Sequence, residues 1–161
     1  GDVRGKGACG FVEAESLLNM EKGIYTLILR LDVPKDIRIG ALGVISFQPG
    51  YYIYAGSALG SGGLSRVARH IRFYRERYRK AKWHIDYLME EAVLEKTVCA
   101  ETDMRLECVL ASGIGGDSVL RFGCSDCDCA SHLFYRKEEP TKEILAVFEK
   151  MGLHAVEHLV R

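Results

Sequence analysis

An α/β (α+β) fold with a small central mixed or antiparallel sheet flanked by helices is predicted, and three observations predict it. Two segments, residues 23–31 and 51–56, are rich in β-branched and aromatic residues and bounded by turn signals, as strands are. The apolar residues Leu64, Val67, Ala68 and Ile71 recur at three- and four-residue spacing, as on one face of a helix. The 161 residues are 48% apolar, enough for one well-buried domain and too few for two.

Taken in order, residues 1–19 show no sustained period. They read as an N-terminal extension, poorly ordered or introduced in cloning or from an upstream start, ahead of Met20. The strand over 23–31 stops near Pro34. Residues 37–39 and 44–47 read as two short strands around the turn at 40–43, and Pro49 with Gly50 marks the next turn. The strand over 51–56 runs into a loop of small residues, SALGSGG, and the long helix follows. A second helix is predicted over 83–91, a short strand over 94–99 and a third helix over 104–111. Residues 119–122 and 132–135 read as late strands. Residues 140–151 form a last amphipathic helix, with Pro140 near its first turn and Gly152 past its end. The domain organisation expected is therefore the extension 1–19, a domain over 20–135, and a C-terminal helical segment over 136–161 packed on it.

No apolar run is long enough to span a membrane, and the N-terminus lacks the basic start and apolar core of a signal peptide. A cytoplasmic location with no membrane partner is the expectation. Charged residues make up 27%, which argues against global disorder. The net charge is zero, but it is unevenly placed. From Arg66 to Lys82 eight basic residues face one acid, Glu76, so this segment carries +7 and the remainder −7. A concentrated basic patch suits a phosphate backbone better than the total suggests. Within it Arg69, Arg72, Arg75, Arg79 and Lys82, with His84 beyond, are the candidate nucleic-acid contacts. A merely solvated helix face is the competing reading. Tyr74 and Tyr78 interleave the arginines, positioned either to stack on bases or to pack on the sheet.

Five ordered motifs carry a resemblance. Gly23-Ile24-Tyr25 opens one strand and Tyr54-Ala55-Gly56 closes another. Arg66 and His70 lie one turn apart on the next helix. Glu107, in RLECVLA, follows an intervening strand, whereas Asp86 and Glu90 come too soon after Arg66 to leave room for one. This order resembles the GIY-YIG nuclease superfamily. The phrases YIYAGSALGSGGLSRVARHIR, KWHIDYL, LEC and FGCSDCDCASHLFY resemble one little-characterised branch of it, found mainly in archaea and thermophilic bacteria and described as the domain of unknown function DUF123. The resemblance covers residues 20–135. The chain departs from better-known relatives in the lengthened loop before Arg66 and in lacking their site-closing asparagine.

The resemblance implies a divalent-metal-dependent endonuclease acting on nucleic acid, DNA ahead of RNA, in repair or recombination, with a repair protein as a further partner. Glu107 would hold Mg²⁺ or Mn²⁺, since Mg²⁺ keeps most of its water and needs few protein carboxylates. Arg66 would hold the scissile phosphate through its planar fork. Tyr25 and Tyr54 would orient the attacking water, with Tyr25 as general base helped by cationic neighbours and His70 sharing the proton. A binding module that uses the same groove without cutting is the alternative. His84 and Asp86, one residue apart, point in different directions on a helix, and capping or hydrogen bonding is the simpler reading of both.

Cysteines at 124, 127 and 129 crowd into six residues, with His132 three positions on. In a reducing compartment this suggests metal binding or plain burial before disulfides. Cys108, Cys127, Cys129 and His132 are a candidate Zn²⁺ set, set against structural thiols or a redox-sensitive pair. A small zinc-stabilised interaction domain is the third functional class.

Overall fold

Strand β1 (Gly23–Leu31) carries a single charge, Arg30, and is apolar on both faces, which suits only the middle of a sheet covered on two sides. A computed structural model describing residues 21–124 and 129–160 places it there. The sheet runs β6-β4-β1-β5-β7, where β4 is Gly50–Ala58, β5 Val93–Glu101, β6 Leu133–Arg136 and β7 Ala155–Leu159. Every neighbouring pair is antiparallel. A separate hairpin joins β2 (Lys35–Arg38) and β3 (Val44–Phe47).

The two-residue period of β1 separates two cores. Tyr25, Leu27, Leu29 and Leu31 pack with Val67 and Ile71 of α1 (Ser65–Glu76) and with Ile85, Leu88 and Met89 of α2 (His84–Met89). Ile24 and Ile28 pack on the opposite face with Leu110, Ala111 and Ile114 of α3 (Glu107–Ile114) and with Ile144 and Phe148 of α4 (Thr141–Lys150). The result is a mixed α/β domain with four α-helices among the described residues, two on each face of the sheet. None of the described helices is long and apolar enough to cross a membrane.

Three expectations change. Residues 119–122 are not a strand: Arg121 and Gly123 sit at positive φ, 66° and 74°, in a turn, and only Ser118 bridges Phe134. Helix α3 starts at Glu107 rather than at 104, which puts Glu107 in its first turn. Residues 136–161 are not simply helical, because β7 joins the sheet as an edge strand on β5. Of the two sheet types expected, mixed or antiparallel, the five-stranded sheet is the antiparallel one. The extension 1–19 lies outside the described residues.

Because Phe148 is fully buried against β1 and α3, α4 belongs to the domain rather than to an appendage. Phe148→Ala is therefore expected to lower unfolding free energy by about 3–5 kcal/mol. Urea denaturation checks this; a change within error would mean that α4 does not contribute to the cooperative unit.

Candidate active site

The antiparallel register of β1 and β4 sets Tyr25 directly opposite Gly56, with Tyr54 two residues back on the same face. Gly56 has a steric reason to be glycine: a Cβ there would lie 2.5 Å from the Tyr25 ring and hydroxyl. The Tyr25 ring occupies the volume that a side chain at 56 would take. Gly23, at the start of β1, is constrained in the same way, since its Cβ would meet the Ala100 carbonyl and the Leu64 side chain.

Helix α1 crosses above these tyrosines. Its apolar face, Val67 and Ile71, anchors it on the sheet and so aims Arg66 and His70 at the tyrosine pair. The Tyr25 hydroxyl lies 3.0 Å from Nε2 of His70, and both residues are only 2% exposed. Arg66 lines the same cavity, and its positive charge acts on the Tyr25 hydroxyl. A cation on one side of the oxygen favours the phenol's own proton pointing away from it, to His70.

Asp86 organises the segment between α1 and α2. Fully buried, its Oδ2 accepts from the backbone N–H of Lys82 (2.9 Å) and Trp83 (3.0 Å) and from Arg79 (2.8 Å). That clamp presents Lys82, Trp83 and His84 at the rim. His84 Nδ1 accepts the Gly123 N–H at 2.8 Å and ties the late turn to α2. Glu107 enters from the first turn of α3.

Together these elements enclose a cavity of about 400 Å³, lined by all five candidate catalytic residues, Tyr25, Tyr54, Arg66, His70 and Glu107. Lys82, Trp83, His84 and His132 also lie in its wall. The Glu107 atom Oε1 is buried and has no hydrogen-bond partner among the described residues. An unpaired buried carboxylate oxygen is costly unless water or a cation compensates it.

The electrostatics follow from burial. Desolvation raises the Tyr25 phenol well above its usual range, and Tyr54 adds to this, against the pull of Arg66. Tyr54 is likewise pushed up to about 12 by burial, with Arg66 opposing and Asp86 and Glu107 reinforcing. His70 is pushed down to about 4, first by burial and then by Arg66, Arg79 and Arg69, against the attraction of Asp86. The neighbouring arginines thus do not make Tyr25 a ready phenolate; desolvation outweighs them. A neutral His70 facing a protonated Tyr25 is the resting state at neutral pH.

A stability prediction follows. Folded His70 binds fewer protons than the unfolded residue between about 4 and the ordinary histidine value of about 6.5, so its contribution is full above that window and lost as pH falls through it. Urea midpoints are expected to drop from pH 7 to pH 4.5, and His70→Gln to flatten part of that drop. An identical drop in the variant would contradict the burial of a neutral imidazole.

The basic run divides. Lys82 and His84 reach the cavity wall, but Arg69, Arg72, Arg75 and Arg79 do not line it. Arg75 donates to the Val160 carbonyl at 2.5 Å and Arg79 pairs with Asp86, so both serve the fold. Arg72 pairs with Glu76 and stacks 4.1 Å over Tyr78, while Arg69 reaches Ser65. Trp83 was missed as a site residue. It is 38% exposed, edge-on to His70 and 5.7 Å from the Arg66 guanidinium. Its being the only tryptophan, next to Lys82 and His84, was the available signal.

Among the cysteines, Cys108 and Cys129 are joined as a disulfide rather than left as thiols, with 6.3 Å between their Cα atoms. Their sulfurs and a nitrogen of His132 lie within 4.8 Å of one another. Cys127 lies outside the described residues.

A family model described as "Domain of unknown function DUF123" matches residues 24–153. No curated protein and no solved structure matches the chain.

Proposed function

The chain belongs to the family described as domain of unknown function DUF123, and on that premise we propose that it is a divergent GIY-YIG endonuclease, hydrolysing nucleic-acid phosphodiesters with a divalent metal. The observation that carries this reading is the buried Glu107 oxygen, without a hydrogen-bond partner among the described residues, in the same cavity as Arg66 and the Tyr25–His70 pair. A carboxylate acceptor, a fixed guanidinium and a proton relay are what in-line attack on a phosphodiester requires.

Glu107 is the residue that would hold Mg²⁺ or Mn²⁺, which supplies charge neutralisation and a template for water and phosphate. Arg66, half-buried with its guanidinium 5.7 Å from the centre of the Trp83 ring, binds the scissile phosphate through two parallel N–H groups. Lys82 adds a second positive charge at the rim. Tyr25 accepts the proton of the attacking water as its own proton passes to His70 Nε2 across the 3.0 Å hydrogen bond. At rest the imidazole is neutral with its Nε2 facing the phenol, while both shifts disfavour a separated phenolate–imidazolium pair, so the relay requires the two protons to move in concert with attack. Tyr54 orients the water from the adjacent strand. Trp83 offers an aromatic face to a nucleotide base.

Trp83, part-exposed in the cavity wall, favours recognition of an unpaired or branched structure whose bases can stack on it, as in repair or recombination intermediates. DNA stands ahead of RNA in this reading. The test is a panel of labelled single-stranded, duplex, flapped and branched DNA and structured RNA, each with Mg²⁺ or Mn²⁺ and with chelator. Metal-dependent cutting of at least one substrate is expected. Salt-sensitive binding with no cutting under either metal would replace the enzyme by a binding module in the same cavity.

A further inference from the structure

We propose that Cys108, Cys129 and His132 form a soft-metal site for Zn²⁺, the Cys108–Cys129 disulfide being its oxidised, metal-free form. The three donors come from two separated parts of the chain, the first turn of α3 and the residues leading into β6. Their ligating atoms all lie within 4.8 Å of one another. A tetrahedral zinc with bonds of about 2.0–2.3 Å separates its donors by roughly 3.3–3.8 Å, so small side-chain adjustments suffice. Two thiolates and an imidazole select zinc over Mg²⁺, which prefers oxygen.

The surroundings of His132 add an independent observation. It is 3% exposed, and its Nδ1 lies 3.1 Å from the Ala55 carbonyl. A carbonyl only accepts, so Nδ1 carries the proton and Nε2 carries the lone pair, the tautomer a metal ligand needs. Its backbone is pinned as well: the His132 N–H donates to Phe122 and its carbonyl accepts from Ala55, both at 2.9 Å.

The consequence concerns Glu107. Cys108 is the next residue, and α3 is only eight residues long, so a metal shared with the β6 segment holds the start of α3 against the cavity. The zinc site is thus a clamp on the position of Glu107, and its existence does not depend on whether the cavity cleaves nucleic acid.

Interconversion balances simply. A water-soluble phosphine reduces the disulfide to two thiols and becomes the phosphine oxide, its oxygen coming from water. Zn²⁺ then displaces both thiol protons.

The experiment uses the full chain, reduced with phosphine under anaerobic conditions and given Zn²⁺ or Co²⁺ alone. One zinc per chain is expected to remain after gel filtration, by elemental analysis. Co²⁺ should give thiolate-to-metal charge transfer of an intensity matching two sulfurs, with tetrahedral ligand-field bands. Cys108→Ser and Cys129→Ser should each weaken zinc binding at least 100-fold, while Cys99→Ser, a buried thiol elsewhere in the sheet, and Glu107→Gln should leave it unchanged. No retained zinc, or a cobalt spectrum lacking thiolate charge transfer, would overturn the proposal. So would loss of zinc in Glu107→Gln with retention in both serine variants, which would move the metal to the carboxylate. The wild-type cobalt spectrum decides even if a variant fails to fold.

Discussion

Glu107→Gln is expected to lower the cleavage rate by about 10³-fold or more, equivalent to about 4 kcal/mol of transition-state stabilisation, while nucleic-acid binding persists. The substitution keeps the shape of the side chain and removes its charge. Because Glu107 sits in the first turn of α3, the fold loses only a helix-dipole contribution of about 0.3–1 kcal/mol. The buried Oε1 is the reason for expecting so large a catalytic effect. An amide oxygen is a weak ligand for a hard cation, and an amide nitrogen in that position is none. Binding should hold or tighten slightly in the absence of metal, since Arg66 and Lys82 remain and a negative charge has left the cavity wall. Parallel measurements of cleavage, binding without metal, and circular dichroism separate the outcomes. Cutting within tenfold of wild type would remove Glu107 from the reaction, whatever else the cavity does.

Five dispersed residues that the family resemblance grouped together line one cavity, whereas each alone read as packing or a solvated face. The geometry adds what spacing could not carry. Tyr25 and Gly56 are 31 positions apart in a sequence that says nothing of register, and only the β1–β4 pairing sets them opposite each other. Asp86 was legible as a capping or hydrogen-bonding residue, and its carboxylate does accept the Lys82 and Trp83 backbone N–H groups; spacing could not add that the same oxygen also takes Arg79. The basic run was read as one patch, but the helix ends at Glu76 and divides it. Arg75, on the helix, reaches the Val160 carbonyl, and Arg79, beyond its end, reaches a buried carboxylate. Strand β7 was missed for a plain reason: an edge strand half open to solvent needs little apolar alternation, and Glu157 and Leu159 both stay exposed. The turn at 120–123 deceived in the other direction, since Val119, Leu120 and Phe122 have the composition of a strand while Arg121 and Gly123 adopt positive φ. Tertiary context overrides β-propensity most easily in such short segments.

Gly56→Ala, the addition of one methyl group, should reduce cleavage by about 10²-fold or more, the scale associated with a misplacement of about 1 Å in a catalytic group. The new Cβ would stand 2.5 Å from Cζ and from the hydroxyl of Tyr25 and 2.9 Å from Cε2, closer than real Cβ atoms approach anything. The strands cannot part to relieve this, because Tyr25 and Gly56 are a paired position in the centre of the sheet. The ring must therefore move, and Tyr25 is 2% exposed with His70 and Tyr54 around it. Any movement lengthens the 3.0 Å hydrogen bond to His70 and draws the phenol from Arg66. Overpacking of this kind lowers stability by about 1–3 kcal/mol, so the folded fraction must be verified before rates are compared. The decisive comparison is with Tyr25→Phe, which removes the relay hydroxyl directly and is expected to lose about 10²–10⁴-fold. If Gly56→Ala acts by displacing that hydroxyl, adding it to Tyr25→Phe should cost little further rate, a strongly non-additive cycle. Fully additive losses would mean that the methyl group damages something other than Tyr25, and the steric account of the glycine would fail with them.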